Sequence, residues 1–188
     1  MHIPVDSPAA QFRITPAFRA RGAKTVHWVA PKIWARRWDG RLAKLRRQTD
    51  ALACLFPFEA DWFARRGLPA TFVGHPSFSR TIDAAPTPGL PKTEHRVAIL
   101  PGSRSQEIRD NLPLMLEVMD RLRSEMDVSG VIVAADSRAA QQIESLNQSR
   151  YPVRTGDIDG VLAWSSFAFA VSGTVTLDVA RHRRPGLG

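Results

Sequence analysis

Two short stretches of the chain carry residues suited to holding a phosphorylated ligand. The first, Pro101-Gly102-Ser103-Arg104, follows the apolar run Val97-Ala98-Ile99-Leu100. The second, Ser172-Gly173-Thr174, follows Phe169-Ala170-Val171. In each, an apolar run ends in a small glycine-containing loop and a helical pattern comes next. Glycine lets backbone approach a ligand closely, hydroxyl groups donate hydrogen bonds, and a helix N-terminus offers free N–H groups and partial positive charge. Arg104 adds a guanidinium able to grip a phosphate through two parallel hydrogen bonds. The same loops also read as helix starts capped by Ser or Thr, and that plainer reading stands beside the first. Two such loops in one half of the chain favour the phosphorylated ligand. Neither is a Walker loop or a Gly-x-Gly-x-x-Gly dinucleotide fingerprint. Asp178, four residues beyond Thr174, suits ribose hydroxyls and equally suits the positive start of a helix.

The elements that must position these residues alternate. Thr25–Ala30 reads as a strand closed by Pro31, and residues 33–49 as a helix striped by Trp34, Trp38, Leu42 and Leu45. Asp50–Phe56 is a second strand, Phe58–Arg66 a short helix stopped by Gly67, and Thr71–Val73 a third strand. Residues 84–93 hold three prolines and a glycine and read as a linker. Beyond it come strand Val97–Leu100, helix from Glu107 to about Met126, strand Val131–Ala135 and helix Arg138–Gln148. A short strand at Tyr151–Arg154, a helix at Gly160–Ser165, a strand at Phe167–Val171 and a helix at Val175–Arg181 follow. Apolar strands alternating with helices predict an α/β fold with parallel sheets. In such folds ligands bind beyond the carboxyl ends of the strands.

Composition narrows the class. The chain has 188 residues, 44% of them hydrophobic, with a single cysteine, Cys54. That excludes an internal disulfide framework and disorder throughout. No apolar run has the length of a membrane span, and Met1–Ala10 lacks the basic start and apolar core of a signal peptide. Residues 1–85 hold 14 Lys and Arg against 6 Asp and Glu, whereas residues 86–188 hold 12 of each. The whole net charge of +8 therefore lies in the first half, which points to an acidic partner there. Trp34 and Trp38 with Arg36, Arg37 and Arg41 suit a membrane interface, where indoles sit among headgroups and Arg meets anionic lipid. A solvated basic face and a nucleic-acid surface are the other readings of that helix, and no nucleic-acid motif accompanies it.

Five segments in order resemble the lipid-A-disaccharide synthase family. They are Leu100-Pro-Gly-Ser-Arg104 with Glu107; VHWVAPKIWARR at Val26–Arg37, similar to Y-V-S-P-x-x-W-A-W-R; Leu55-Phe-Pro-Phe-Glu59, similar to L-P-F-E; Phe72-Val-Gly-His-Pro76, similar to F-V-G-H-P; and Val171-Ser-Gly-Thr174 through Asp178, similar to S-G-T-A-x-L-E. Val5-Asp6-Ser7-Pro8 weakly continues the match at I-D-A-P-D-F-N. The resemblance implies a GT-B glycosyltransferase built from two Rossmann-like halves, with residues 1–85 ending an acceptor-side domain, 86–94 a linker and 95–188 opening a UDP-sugar domain. On this expectation the chain is a central piece, truncated at both ends. The implied reaction moves 2,3-diacylglucosamine from UDP-2,3-diacylglucosamine to 2,3-diacylglucosamine 1-phosphate, with inversion. No nicotinamide cofactor and no firmly bound metal are implied. The implied setting is cytoplasmic and peripheral, at an anionic inner membrane of a Gram-negative-type bacterium.

The resemblance also implies roles. Arg104 would contact the donor pyrophosphate or stabilise the leaving UDP. Gly102, Ser103, Glu107, Ser172, Gly173 and Thr174 would shape its pocket, and Asp178 would take the place of a ribose-binding Glu one methylene longer. His75 would lie by the cleft, or serve as a structural histidine. A second family Asp suited to general-base work is replaced here by Ala9, and the family Asn by Gln11, which leaves Asp6 as the catalytic carboxylate. Another UDP-sugar enzyme, such as a UDP-N-acetylglucosamine 2-epimerase, and a non-catalytic module binding membranes or nucleic acid through residues 33–47 are the rival readings.

Overall fold

The computed structural model describes residues 1–35, 39–82 and 85–187. It divides into two compact units, Met1–Ser79 and Arg80–Gly188. Both are α/β, and among the described residues each contains one parallel sheet.

The first unit runs α1 (Pro8–Arg19), β1 (Val26–Trp28), a 3-10 turn (Ile33–Ala35), α2 (Asp39–Gln48), β2 (Ala51–Cys54), α3 (Pro57–Ala64), β3 (Ala70–Phe72) and α4 (Pro76–Ser79). Its sheet order is β1-β2-β3, with His2 and Val5 bridging in parallel to Thr25 and Trp28. Leu45, Leu52, Cys54, Phe63 and Leu68 form the core. Helix α1, which the sequence pattern leaves unassigned, holds Pro16 in its interior. Proline has no N–H, so the carbonyl of Phe12, one turn back, loses its helical donor. The side chain of Gln48 supplies one instead, at 3.3 Å. A contact 36 residues away thus makes the interior proline tolerable.

The helix expected from Ile33 begins instead as a 3-10 turn, and α2 starts at Asp39. Trp34 is half-buried there and donates its indole N–H to Glu59 Oε1 at 3.1 Å. Its ring meets Phe58 edge-on at 5.0 Å. The expected outward indole at Trp34 is therefore corrected: the polar tip turns to a buried carboxylate. Arg36, Arg37 and Trp38 lie outside the described residues; Arg41 is exposed on α2.

Two buried groups of this unit carry predictions. Burial, with the nearby charge of Glu59, pushes the Cys54 thiol up to about 11, so the thiolate that reacts is scarce at neutral pH. We expect Cys54 to resist Ellman's reagent at pH 8 in the folded chain and to react fully in urea. His27 is buried, and among the described residues neither ring nitrogen has a hydrogen-bond partner. Burial holds its pKa below 6.5, and backbone groups of Trp28 and Val29 offset only part of that effect. Above about pH 6.5 the imidazole is neutral in both folded and unfolded chains. Below it the unfolded chain takes up a proton that folded His27 refuses, so stability falls with falling pH until the lowered pKa is reached. Urea unfolding between pH 7 and pH 5 should show this slope, and His27→Phe should flatten it.

The second unit runs β4 (His95–Leu100), α5 (Ser105–Glu125), β5 (Val128–Ala134), α6 (Ser137–Asn147), β6 (Val153–Thr155), α7 (Ile158–Trp164), β7 (Phe167–Ala170), α8 (Val175–Arg181) and β8 (Gly186–Leu187). Alternate strand residues face opposite sides. Val97 and Ile99 pack with Ile108, Leu112, Leu116 and Met119 of α5 and Ile143 of α6. Ala98 and Leu100 pack with Val161, Leu162 and Trp164 of α7 and Val179 of α8. Both sheet faces are covered, which explains strands that read as continuous apolar runs. The proline-rich stretch read as a linker belongs to this unit: Leu90 is buried in the second cluster, and Trp164 Nε1 donates to the Pro91 carbonyl at 2.8 Å. Among the described residues no helix is long and apolar enough to cross a membrane.

Candidate functional site

The strand order of the second sheet is β6-β5-β4-β7-β8. Chain order reverses direction between β4 and β7, and the carboxyl ends of strands at such a reversal are where doubly wound sheets bind ligands. Leu100 pairs with Ala170, and Val171 N donates to the Leu100 carbonyl at 3.1 Å. Both glycine-containing loops therefore leave the sheet side by side. Sequence spacing gives each loop its shape; the strand order makes them neighbours.

The first loop is held by its own glutamate. Glu107 Oε2 accepts the backbone N–H groups of Ser103 and Arg104, each at 3.1 Å, and Oε1 accepts from the Arg104 guanidinium. These bonds, the Arg104 side chain foremost, hold the Glu107 carboxyl below the ordinary carboxylate range. Its clamp is therefore present above about pH 4.5 and weakens as pH falls into the acid range. The Glu107 carboxylate organises the loop. Gly102 has φ +111°, and a Cβ there would lie 2.6 Å from Cβ of Glu107. Only glycine meets both demands, the left-handed backbone and the close approach. The Arg104 side chain is 80% exposed at the mouth of α5.

The second loop is more open. Ser172, Gly173 and Thr174 are exposed, and among the described residues nothing lies within 4 Å of a Cβ built on Gly173. Thr174 makes no side-chain cap, whereas Thr176 Oγ1 donates to the Gly173 carbonyl at 2.7 Å. Asp178 lies one turn into α8 and accepts from Arg80 at 3.2 Å and from Arg181 at 3.4 Å.

The first unit repeats the glutamate device. Glu59 Oε2 accepts the N–H groups of Leu55 and Phe56, each at 3.1 Å, and Oε1 accepts from Trp34. Glu59 and Glu107 both stand third in their helix and close the loop that precedes it. The sequence signal was present in the equal offset of each glutamate from its loop, although no role was read from Glu59. His75 Nδ1 accepts the Ser77 N–H at 3.1 Å and so caps α4. Its ring lies near Phe56 and Phe78. Asp6 is exposed with φ +45°, its N–H bonded to the Trp28 carbonyl at 3.0 Å. Ser7 follows with φ +43°, so the turn into α1 holds two non-glycine residues in the left-handed region.

A family model described as lipid-A-disaccharide synthetase matches residues 1–187. The chain belongs to the lipid-A-disaccharide synthetase family. Relatives named lipid-A-disaccharide synthase include one from Cupriavidus pinatubonensis, 34% identical over 195 residues, covering 97% of this chain and 48% of that protein. A Coxiella burnetii relative is 33% identical over 193 residues, covering 96% of this chain and 50% of its own. A Pseudomonas aeruginosa relative is 34% identical over 195 residues, covering 97% and 51%. The chain spans about half the length of the curated relatives it matches. Membership in the lipid-A-disaccharide synthetase family agrees with two parallel α/β units, the architecture of parts of a GT-B glycosyltransferase.

Proposed function

We propose that the second unit binds the UDP portion of a UDP-sugar at the paired loops, and that the protein serves the transfer of 2,3-diacylglucosamine from UDP to 2,3-diacylglucosamine 1-phosphate. The observation that carries this reading is the Leu100–Ala170 pairing, which sets the two loops together at the switch point of a doubly wound sheet. Arg104 supplies the positive charge for the pyrophosphate and for the UDP that departs. The α5 N-terminus adds its partial charge. Gly102 and Ser103 shape this side, and Ser172, Gly173 and Thr174 line the other. Asp178 receives ribose hydroxyls. Asp6 is the carboxylate assigned to the acceptor hydroxyl proton.

The basic first unit suits an anionic membrane, where both lipid substrates reside. Arg41 and the neighbouring basic residues of α2 are the parts of this chain offered to it. The reading is tested by calorimetric titration of the full chain with UDP, with ATP as the control nucleotide. Saturable binding of UDP in preference to ATP supports a UDP-sugar site. No binding by a chain that melts cooperatively overturns it.

A further inference from the structure

We propose that Arg80 is a positioning residue for Asp178, with Asp159, Arg181 and His182 completing its support. The inference rests on the reading of Asp178 as the ribose-facing carboxylate. Arg80 is the first residue of the second unit, far in sequence from the helices it reaches. One of its nitrogens, Nη2, donates to Oδ1 of Asp159 at 3.1 Å and to Oδ1 of Asp178 at 3.2 Å. Arg181 donates to the same Asp178 oxygen at 3.4 Å and, through Nη2, to the backbone carbonyl of Arg80. His182 Nε2 lies 2.9 Å from Asp159 Oδ1. The contacts close a ring: Arg80 holds Asp178, Arg181 holds both, and Asp159 with His182 fixes Arg80 from the far side.

Exposure separates support from surface decoration. The side chains of Arg181 and His182 are 5% and 4% exposed, and those of Asp159 and Asp178 are 16% each; only Arg80, at 50%, stands well into solvent. An ion pair with one partner so exposed contributes little to stability. Its effect is on geometry: it selects one rotamer of Asp178. Among the described residues both guanidinium contacts fall on Oδ1 of Asp178, which leaves Oδ2 for hydroxyl donors of a ligand. A carboxylate pinned by one oxygen presents the other in a set direction, the way outer partners orient the groups that touch a ligand. An aspartate has one fewer rotatable bond than a glutamate with which to find a ribose, so its direction depends more on this support.

The test titrates the full chain with UDP, 2′,3′-dideoxy-UDP and pyrophosphate at one ionic strength. The variants are Arg80→Ala, Arg80→Lys, Asp178→Asn and the Arg80→Ala/Asp178→Asn double. We expect Arg80→Ala to lose about tenfold in UDP affinity, the size of a positioning contact, and to lose the preference for UDP over the dideoxy nucleotide. Pyrophosphate affinity and the melting temperature stay within error. Arg80→Lys restores part of the preference, and the double variant binds UDP no more weakly than Asp178→Asn alone. A chain that binds UDP and retains the ribose preference after Arg80→Ala overturns this proposal alone. Equal losses for UDP and pyrophosphate also overturn it, because they mark a general disturbance of the unit. A wild-type chain that binds no UDP overturns the nucleotide reading and this inference with it.

Discussion

Arg104→Ala is expected to weaken UDP binding by one to two orders of magnitude and to leave the melting temperature unchanged. The size follows from the bond that would be lost. A charge-assisted hydrogen bond contributes about 1.5–3 kcal/mol, roughly tenfold to a hundredfold in affinity. The guanidinium is 80% exposed, and among the described residues its ion-pair partner is Glu107, three residues on and partly exposed. Such a pair adds little to folding, so a loss of affinity would not be secondary to unfolding. Arg104→Lys keeps the charge without the planar fork and should fall between wild type and alanine. Calorimetry at fixed salt beside thermal unfolding measures both quantities. Unchanged UDP affinity with a lowered melting temperature would reassign Arg104 to loop structure.

The second large effect is expected at Glu59. Its side chain is buried and accepts three N–H groups, from Leu55, Phe56 and Trp34. Glu59→Ala removes the acceptors and leaves those donors in a largely dry site, a cost of about 2–4 kcal/mol. Glu59→Gln keeps a single oxygen acceptor and turns an N–H2 group toward the remaining donors, so it should rescue only partly. Urea denaturation followed by tryptophan fluorescence will report the loss, since the Trp34 indole is itself bonded to Glu59. An unchanged unfolding midpoint would mean that the loop finds other acceptors. Glu107 makes the same clamp at the surface, where water replaces lost bonds, so its substitution should disturb the loop far less than the first unit is disturbed by Glu59→Ala.

The contrast between these glutamates shows where the sequence is legible. The offset of three residues from N-cap to glutamate is local and visible in LFPFE and in SRSQE. Burial is not local, and burial decides which of the two matters for folding. Helix α8 is legible at its observed bounds, Val175–Arg181, because a strand and the Ser172–Thr174 loop lead straight into it. Helix α1 is not legible in the sequence: Pro16 stands inside it, and the Gln48 side chain that answers the proline lies across the unit. The membrane-facing reading of Trp34 rests on its indole and the arginines around it, and residue type alone does not see Glu59.

What the sequence by itself determined is the set of units that close within a few residues. These are the apolar strands, the loops at 101–104 and 172–174, the glycine at 102 and the glutamates that cap each helix. Backbone sterics, i to i+3 hydrogen bonding and side-chain periodicity act over that range, so residue order is enough to specify them. Tertiary structure alone decided that β4 and β7 are neighbours and that Arg80 reaches Asp159 and Asp178, 79 and 98 residues away. Those contacts form only when the sheet is assembled and both its faces are buried, because the free energy that fixes strand order comes from apolar surface gathered from the whole unit.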